Sequence, residues 1–216
     1  MTRAFVIALL GAESTGKTSL AAALCTALAR PERRVALASE YLREFCDAHR
    51  RTPRQDEQAA IAAEQTRRIA TAAADHDVVL ADTTALMIAV YSDHVFGDTA
   101  LYAAAERDHA QACSLTLLTA LDLPWQADGL QRDGPHVREP VDTLVRLALQ
   151  RAGCGYAVVA GTGEARLQAA LASVERALSP PAGSDASPRW QWHCDRCGDA
   201  GCEAHERRTL LPRNLS

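Results

Sequence analysis

The feature that most constrains the fold of this chain is an eight-residue loop that begins at Gly11. Residues 11–18 read Gly-Ala-Glu-Ser-Thr-Gly-Lys-Thr, between an apolar run at 4–10 and a helix-forming stretch at 19–29. Gly11 and Gly16 let the backbone approach an anion closely, so that several N–H groups can surround phosphate oxygens. The alternative interpretation is a glycine-rich turn that merely joins a strand to a helix. Because the motif and both flanks are present, the sequence predicts a phosphate-binding loop with a nucleoside triphosphate as its ligand.

Individual residues of this phosphate loop, defined as residues 11–18, have predicted roles. Lys17 reaches the β and γ phosphates, and the Thr18 hydroxyl binds Mg²⁺. The first N–H groups of the following helix face the anion, where the positive end of the helix dipole stabilises it. The residues assigned to the nucleotide are Gly11, Glu13, Ser14, Thr15, Gly16, Lys17, Thr18 and Ser19.

Apolar runs alternate with helix-forming segments along the first 178 residues, which predicts an α/β fold with a parallel five-stranded sheet flanked by helices. One long helix is expected to open at Thr52-Pro53, with threonine as N-cap and proline in the first turn, and to end near His76. The expected strands are 5–10, 34–39, 78–81, 115–121 and 156–160.

Composition favours one domain with an appendage. The chain has 216 residues, of which 48% are apolar, enough for one full-sized core. We assign residues 1–178 to the domain, 179–189 to a flexible linker rich in Pro, Gly and Ser, and 190–216 to a small Cys/His tail.

Charge and hydropathy exclude several classes of protein. The net charge of −4 argues against a dedicated nucleic-acid binder. No apolar run approaches the ~20 residues of a membrane span, and the apolar start is interpreted as a buried strand rather than a signal peptide. A cytoplasmic location is therefore expected. Four cysteines lie singly in apolar or helical segments, where buried free thiols are expected: Cys25, Cys46, Cys113 and Cys154.

Acidic residues or arginines follow three of the predicted strands: the second, the third, and the fourth, which leads to a segment that begins at Asp122 and ends at Arg132. Ligands of open parallel sheets bind beyond the carboxyl ends of the strands. Glu40, Tyr41 and Arg43 come after the second strand, and Asp82-Thr83 after the third. A carboxylate at the end of an apolar strand, such as that of Asp82, is placed to hold Mg²⁺ directly or through water. The alternative is that Asp82 caps the next helix.

Together these motifs resemble the ribosylnicotinamide kinase domain of NadR-type proteins, over about residues 5–178. The resemblance rests on the phosphate loop with its internal Glu13, on Glu40-Tyr-Leu-Arg-Glu-Phe, on Asp82-Thr83, and on Trp125-Gln-Ala-Asp-Gly-Leu before an arginine. It implies a P-loop kinase-like fold, with ATP and Mg²⁺ as cofactors. It also implies transfer of the ATP γ-phosphoryl group to the 5′-hydroxyl of nicotinamide riboside, or a related riboside, to give nicotinamide mononucleotide in NAD salvage.

The chain departs from that family in its domain content. NadR-type proteins usually carry an adenylyltransferase domain, and some also a DNA-binding domain, whereas only four residues precede the first strand here. Only the kinase step is therefore carried over to this chain.

Phosphoryl transfer needs aligned partners and neutralised charge. We assign Glu40 to orient the attacking hydroxyl and accept its proton, and Asp82, which competes for that role, to the metal or the ribose. Arg43 contacts substrate or phosphate, or forms only a surface ion pair with Glu40. The catalytic set is Lys17, Glu40, Asp82, Arg132 and Arg138, and the substrate set is Glu40, Tyr41, Arg43, Gln65, Asp82, Thr83, Trp125 and Asp128, in which Gln65 depends on the resemblance.

Residues 125–138 are rich in Asp, Gly, Pro and Arg, a composition that suits a lid closing over the phosphates. Arg132 and Arg138 would stabilise charge on the transferred group from this lid. The alternative is a solvated loop. Trp125 stacks on a ring of the ligand or packs the base of the lid.

The tail has a metal-ligand spacing. Cys194, Cys197, Cys202 and His205 form Cys-x2-Cys-x4-Cys-x2-His, which fits a small structural zinc knuckle. The alternative is a disordered tail with free thiols or a disulfide pair. If zinc binds, the tail is expected to dock on the core, on a protein partner or on a second copy.

A function of a different class stays open. The chain could be a nucleotide-dependent ATPase switch or binding module whose tail contacts a protein or single-stranded nucleic acid. A switch needs no second substrate pocket beside Glu40, Arg43 and Asp82, and its hydrolysis would not depend on a riboside. The content of the site therefore favours the kinase.

Overall fold

The computed structural model describes residues 3–126 and 134–179. Within these residues, strands and helices alternate as the sequence predicts, and short 3-10 turns at Gln55–Glu57 and Pro135–Val137 precede two of the helices. A compact unit spans Met1–Leu178; the assignment of later residues to a linker and a tail stays a prediction. The elements are β1 Phe5–Leu10, α1 Lys17–Leu28, β2 Val35–Ala38, α2 Tyr41–His49, α3 Gln58–Asp75, β3 Val78–Asp82, α4 Ala85–Phe96, α5 Tyr102–Ala112, β4 Leu115–Thr119, α6 Arg138–Arg151, β5 Ala157–Val159 and α7 Gly163–Leu178.

The five strands form one parallel sheet in the order β2-β3-β1-β4-β5. The connection after β1 leads to one side of this strand, and the connection after β3 leads across to the other. The strand order therefore reverses beside β1, which is where open α/β sheets bind ligands. Leu9 of β1 pairs with Asp82 of β3, so the phosphate loop and Asp82 leave the sheet side by side. The predicted parallel five-stranded α/β fold is confirmed.

The core lies on both faces of the sheet. Along β1, Ile7 and Leu9 pack among α1 and α7, whereas Ala8 and Leu10 pack among α4 and α6. Successive side chains of a strand point to opposite faces, so a central strand covered on both sides must be apolar throughout. This continuous apolar character made β1 recognisable in the sequence.

The predicted start of α3 is wrong, although its end is confirmed by the C-cap His76. Arg51 donates to both carboxylate oxygens of Glu57 at 2.6 and 2.7 Å, and the same carboxylate accepts the Arg54 N–H at 2.8 Å. These bonds hold the residues after Thr52 in an irregular turn. The α-helix therefore begins at Gln58, and Pro53 lies outside it.

In the part of the chain that the structure describes, no helix combines the length and the apolar character needed to cross a bilayer.

Candidate active site

The phosphate loop leaves β1 in a conformation that requires glycine at its first position. Gly11 has φ 147°, and a Cβ atom there would lie 2.1 Å from Thr119 Oγ1 at the end of β4. No side chain fits at that distance. Gly16 has φ 73° and is the N-cap of α1, in the left-handed region that favours glycine. Both glycines of the motif are therefore fixed by backbone shape and by the neighbouring strand.

Buried hydroxyl groups support the loop from behind. The Thr119 hydroxyl donates to Thr15 Oγ1 at 2.7 Å, and the Thr15 hydroxyl donates to the Ala12 carbonyl at 2.8 Å. Thr119 Oγ1 also lies 3.1 Å from the Leu10 carbonyl oxygen. Thr15 and Thr119 are both fully buried. The loop is thus tied to the sheet by side chains that do not face the ligand.

Lys17 is the only lysine of the chain; every other basic side chain, histidine aside, is an arginine. Its Nζ donates to the carbonyl oxygens of Gly11 and Ala12 at 2.9 and 2.8 Å, so the ammonium group lies across its own loop. Thr18 and Ser19, in the first turn of α1, are exposed. The ammonium and the open helix terminus are donors for an anion such as a triphosphate.

Ser14 joins the phosphate loop to the start of the predicted lid. Its hydroxyl donates to the Gln126 carbonyl at 2.8 Å and accepts the Gln126 N–H at 3.1 Å. Ser14 has φ 52°, which is uncommon for a residue with a side chain. The two reciprocal bonds offset this strain.

A cavity of about 990 Å³ opens in front of the loop. Four parts of the described chain surround it: the phosphate loop with α1, the start of α2, the segment after β4, and the segment after β5 with the start of α7. This volume is large enough for two small ligands side by side, since single-ligand pockets begin at about 300 Å³. The lining side chains include Lys17, Thr18, Glu40, Arg43, Pro124 and Thr162.

Glu40 and Arg43 line the cavity at the start of α2, where Glu40 is the N-cap residue. Arg43 Nη2 lies 3.6 Å from Glu40 Oε2, and the Glu40 side chain is 13% exposed. The predicted ion pair therefore exists, but it faces the cavity instead of lying apart on the surface. Both side chains line the space that a ligand would enter.

Asp82 ends β3 directly beside the phosphate loop. The residue is 2% exposed, and its Oδ1 has no hydrogen-bond partner among the described residues. A buried carboxylate oxygen without a partner is costly, which indicates that a cation or a donor from a ligand completes the site. The alternative role as a helix cap is wrong, because α4 is capped by Thr84, whose hydroxyl accepts the Leu86 N–H at 3.3 Å.

Gln65, predicted to contact substrate, lies beneath the site. It is 0% exposed, and its amide oxygen accepts the Tyr41 N–H at 2.8 Å while its amide nitrogen donates to the carbonyls of Ser39 and Thr83 at 3.3 Å each. Thr83 has φ 71°, an outlier for a β-branched residue. Gln65 therefore connects the ends of β2 and β3, which carry Glu40 and Asp82. The centre of the Tyr41 ring lies 4.5 Å from the guanidinium carbon of Arg68.

Of the predicted lid, Trp125 and Arg138 are described, whereas Asp128 and Arg132 lie outside the described residues. Arg138 is 8% exposed and donates from Nη1 to the Leu123 carbonyl at 2.9 Å. Its Nε and Nη2, like Trp125 Nε1, are buried without a hydrogen-bond partner in residues 3–126 and 134–179. Arg138 thus supports the segment after β4 that lines the cavity.

Arg166 is a site residue that sequence reasoning missed. It is 5% exposed and donates from Nη1 to Asp122 Oδ1 at 3.1 Å and to the Gly161 carbonyl at 2.9 Å, and from Nη2 to the Thr15 carbonyl at 2.7 Å. Burial acts to raise the pKa of Asp122, but hydrogen bonds from the Gly161 N–H and from Arg166 outweigh it and hold the pKa below its ordinary value. Inspection of the end of the fifth strand, as for the second and third, would have pointed to this region.

The predicted zinc ligands Cys194, Cys197, Cys202 and His205 lie outside the described residues, and the zinc knuckle stays a prediction. Among the residues that the structure does describe, no group of three or more His, Cys, Asp or Glu side chains could hold a metal ion. The four cysteines expected to be buried single thiols are free, but only Cys46 is buried, and Cys25, Cys113 and Cys154 are half-buried. Burial is the main cause that raises the pKa of Cys46 to about 11 and that of Cys113 to about 12, so both thiols are protonated at neutral pH.

Solved structures with the same fold include kinases. The chain superposes on two structures of the NadR protein, one in complex with NAD and AMP-PNP and one in complex with NR, with TM-scores of 0.65 and 0.67 at 18% identity. These matches cover 85% of this chain and 52% and 53% of the NadR chains, so the chain spans about half the length of that protein. Thymidylate kinase from Ehrlichia chaffeensis matches with a TM-score of 0.55 at 10% identity over 81% of this chain and 99% of its own.

No curated protein sequence is significantly similar to this chain. The model of the AAA domain family, in contrast, matches residues 6–166, which include the phosphate loop, Glu40, Asp82 and Arg166. The match covers most of the unit that contains the described strands and helices. The chain belongs to the AAA domain family and has a P-loop kinase-like fold.

Proposed function

We propose that this protein transfers the γ-phosphoryl group of ATP to the 5′-hydroxyl of nicotinamide riboside, or of a related riboside, and forms nicotinamide mononucleotide. The observation that carries the proposal is the pair of carboxylates beyond the phosphate loop. Glu40 faces the cavity, and Asp82 keeps a buried oxygen without a partner among the described residues. Hydrolysis also needs a side chain that orients water, but it needs no room for a second small molecule, whereas the cavity beside Glu40 and Arg43 has a volume of about 990 Å³.

The donor half of the reaction uses the phosphate loop. Lys17 leaves the carbonyl oxygens of Gly11 and Ala12 and pairs with the β and γ phosphates, because a phosphate anion is a stronger partner than a neutral carbonyl. The loop N–H groups surround the same oxygens. The walls formed by α1 and the segment after β5 hold the remainder of the nucleotide.

A magnesium ion fits the residues present. Thr18 carries an exposed hydroxyl, and Asp82 carries the buried carboxylate oxygen that lacks a partner in the described chain; hard oxygen ligands of this kind suit Mg²⁺. When bound, Mg²⁺ neutralises charge on the phosphate oxygens.

On the acceptor side, Glu40 accepts a hydrogen bond from the 5′-hydroxyl of the riboside. This bond aligns the hydroxyl oxygen with the γ-phosphorus and gives the proton a destination as the new P–O bond forms. Arg43, beside Glu40, contacts the phosphoryl oxygens or the riboside. Phosphoryl transfer requires little of the protein beyond such alignment and charge neutralisation.

The choice of nicotinamide riboside rests on two further supports. First, the sequence motifs that follow β2, β3 and β4 resemble those of ribosylnicotinamide kinases. Second, one of the structures on which the chain superposes is the NadR protein in complex with NR, which we interpret as nicotinamide riboside. The cavity volume accommodates ATP and a second small molecule.

The test is ADP release by the purified protein with ATP and Mg²⁺, measured without an acceptor and with nicotinamide riboside, adenosine, cytidine, uridine or thymidine. Release of ADP that depends on nicotinamide riboside, with an equal amount of nicotinamide mononucleotide by mass spectrometry, is expected. The Lys17→Ala variant is the matched control for contaminating kinases.

The other outcomes separate the alternatives. Dependence on a different nucleoside would keep the mechanism and replace the substrate. Slow ATP hydrolysis that no riboside accelerates would contradict the kinase and favour the ATPase switch.

A further inference from the structure

The buried guanidinium of Arg166 joins three segments that are far apart in the sequence. Its acceptors belong to the phosphate loop (Thr15), to the segment after β4 (Asp122) and to the loop after β5 (Gly161). A buried guanidinium is costly unless its N–H groups are paired. Nη1 and Nη2 meet that need with one carboxylate and two backbone carbonyls, whereas Nε is buried without a hydrogen-bond partner in the described residues. The position of the side chain therefore depends on all three segments at once.

The bond to Thr15 fixes one particular peptide of the phosphate loop. In a planar trans peptide, the carbonyl group and the following N–H group point in opposite directions. The 2.7 Å bond from Arg166 to the Thr15 carbonyl therefore also sets the direction of the Gly16 N–H. Gly16 has no side chain and a left-handed φ of 73°, so by itself it restricts the rotation of this peptide weakly.

Asp122 extends the connection to the loop after β5. Its Oδ2 accepts the Gly161 N–H, while its Oδ1 accepts from Arg166, which also bonds the Gly161 carbonyl. Both backbone groups of Gly161 are thereby held. The next residues, Thr162 and Gly163, line the cavity.

We propose that Arg166 is a positioning residue for ATP, which holds the Thr15–Gly16 peptide in the orientation that binds phosphate and couples it to the loop after β5. The inference rests on the proposed use of ATP, but not on the identity of the acceptor. Arg166 acts through the backbone of the phosphate loop, and the side chains that contact phosphate are those of the loop itself.

The Arg166→Lys variant tests this role because it keeps the positive charge beside Asp122. A lysine ammonium is a compact donor that cannot span the three acceptors of a planar guanidinium. Arg176→Lys is the matched control, since Arg176 lies on the same helix α7 and is exposed. Binding of Mg²⁺ and ATP is measured by calorimetry, and folding of each variant by circular dichroism and its thermal midpoint.

Arg166→Lys is expected to weaken ATP binding about tenfold, the size of one lost charge-assisted hydrogen bond, and Arg176→Lys to leave it unchanged. In the kinase assay, the KM for ATP rises while the KM for the riboside stays constant. A purely structural role would instead lower the thermal midpoint and leave the affinity of the folded variant for ATP intact. ATP affinity within twofold of the parent protein, or equal rises in both KM values, would overturn the proposal.

Asp122→Asn is the second variant, in case Arg166→Lys does not fold. It keeps an acceptor for the Gly161 N–H and removes the negative partner of Arg166, and about a threefold loss of ATP affinity is expected; no loss would overturn the proposal. If the parent protein binds ATP but phosphorylates no riboside, the proposed function is contradicted. The proposed role of Arg166 is still tested in that case, because it depends only on the ATP affinities of the variants.

Discussion

The donor side and the acceptor side of the cavity are built in different ways. On the donor side, one continuous segment supplies the phosphate loop, and Lys17, Thr15 and Thr119 are bonded to one another or to loop carbonyls. On the acceptor side, Glu40 is the N-cap residue of α2 after β2, Asp82 ends β3, and a buried oxygen of Asp82 has no partner in the described residues. The donor side is preorganised by the protein, whereas the acceptor side is completed by what binds there.

The largest expected effect is on the donor side. Lys17→Ala should lower kcat/KM by about 10³-fold, because the ammonium stabilises charge that develops on the transferred phosphoryl group. Steady-state kinetics with ATP and nicotinamide riboside measure this change.

The same side chain offers an independent check, because Lys17 is the only lysine of the chain. An amine-reactive reagent should label Lys17 and the N-terminus alone, and ATP with Mg²⁺ should protect Lys17 in peptide mass spectra. Labelling that is indifferent to ATP would contradict the donor-side assignment.

On the acceptor side, Glu40→Gln should lower kcat by about 10²-fold, since the amide no longer accepts the hydroxyl proton. The affinity for ATP should stay unchanged, because Glu40 belongs to the other half of the reaction. Calorimetry with ATP and single-turnover kinetics separate the two quantities. If the variant has a normal kcat, Asp82 and not Glu40 is the residue that orients the hydroxyl and accepts its proton.

The stability of the fold should depend on pH through His109 of α5. This side chain is buried between the hydroxyls of Thr84 and Thr116, at 3.1 and 2.9 Å, and burial lowers its pKa from 6.5 to about 4. Below pH 6.5 the unfolded chain binds a proton that the folded protein does not, so stability is full above that pH and is lost as the pH falls towards 4. The loss between pH 7 and pH 5 should be about 2 kcal/mol.

Urea unfolding at several pH values measures this dependence, and His109→Gln is the comparison because it keeps a hydrogen-bonding side chain without the titration. The variant should have a smaller slope of unfolding free energy against pH over that interval. An identical slope in both proteins would show that other groups cause the dependence.

The smallest expected effect is a gain in stability. Asp82→Asn removes a buried charge whose Oδ1 lacks a partner in the described residues, and the variant should be about 1 kcal/mol more stable than the parent while its activity falls. Thermal unfolding without ligand, beside the kinase assay, measures both. Loss of stability and of activity together would instead assign Asp82 a structural role.

The two sides of the cavity also differ in how much of their structure could be predicted from the sequence. Gly11, Gly16 and Lys17 were predictable because a phosphate loop is a local structure whose steric needs lie within eight consecutive residues. The strands were predictable because a parallel sheet covered on both faces requires continuous apolar runs. The start of α3 was not, because the bonds from Arg51 to Glu57 compete with the helix that the Thr-Pro pair predicts.

The residues that sequence reasoning misassigned or missed are those whose partners are distant. Gln65 has the chemistry of a substrate ligand, yet its amide is used by the backbone of two strand ends. Arg166 is an ordinary helix arginine in the sequence, and its acceptor Thr15 lies 151 residues earlier. The sequence shows which hydrogen-bond donors a chain contains, but it does not show which acceptors they contact in the folded protein.

The sequence by itself determined the phosphate loop, the parallel sheet and the candidate carboxylates, because each depends on residue types at fixed short spacings. The tertiary structure decided which of those carboxylates faces the cavity, which has a buried oxygen left for a ligand, and which guanidinium holds the loop. These properties depend on burial and on hydrogen-bond partners from separate strands, and both come into existence only when the sheet has assembled.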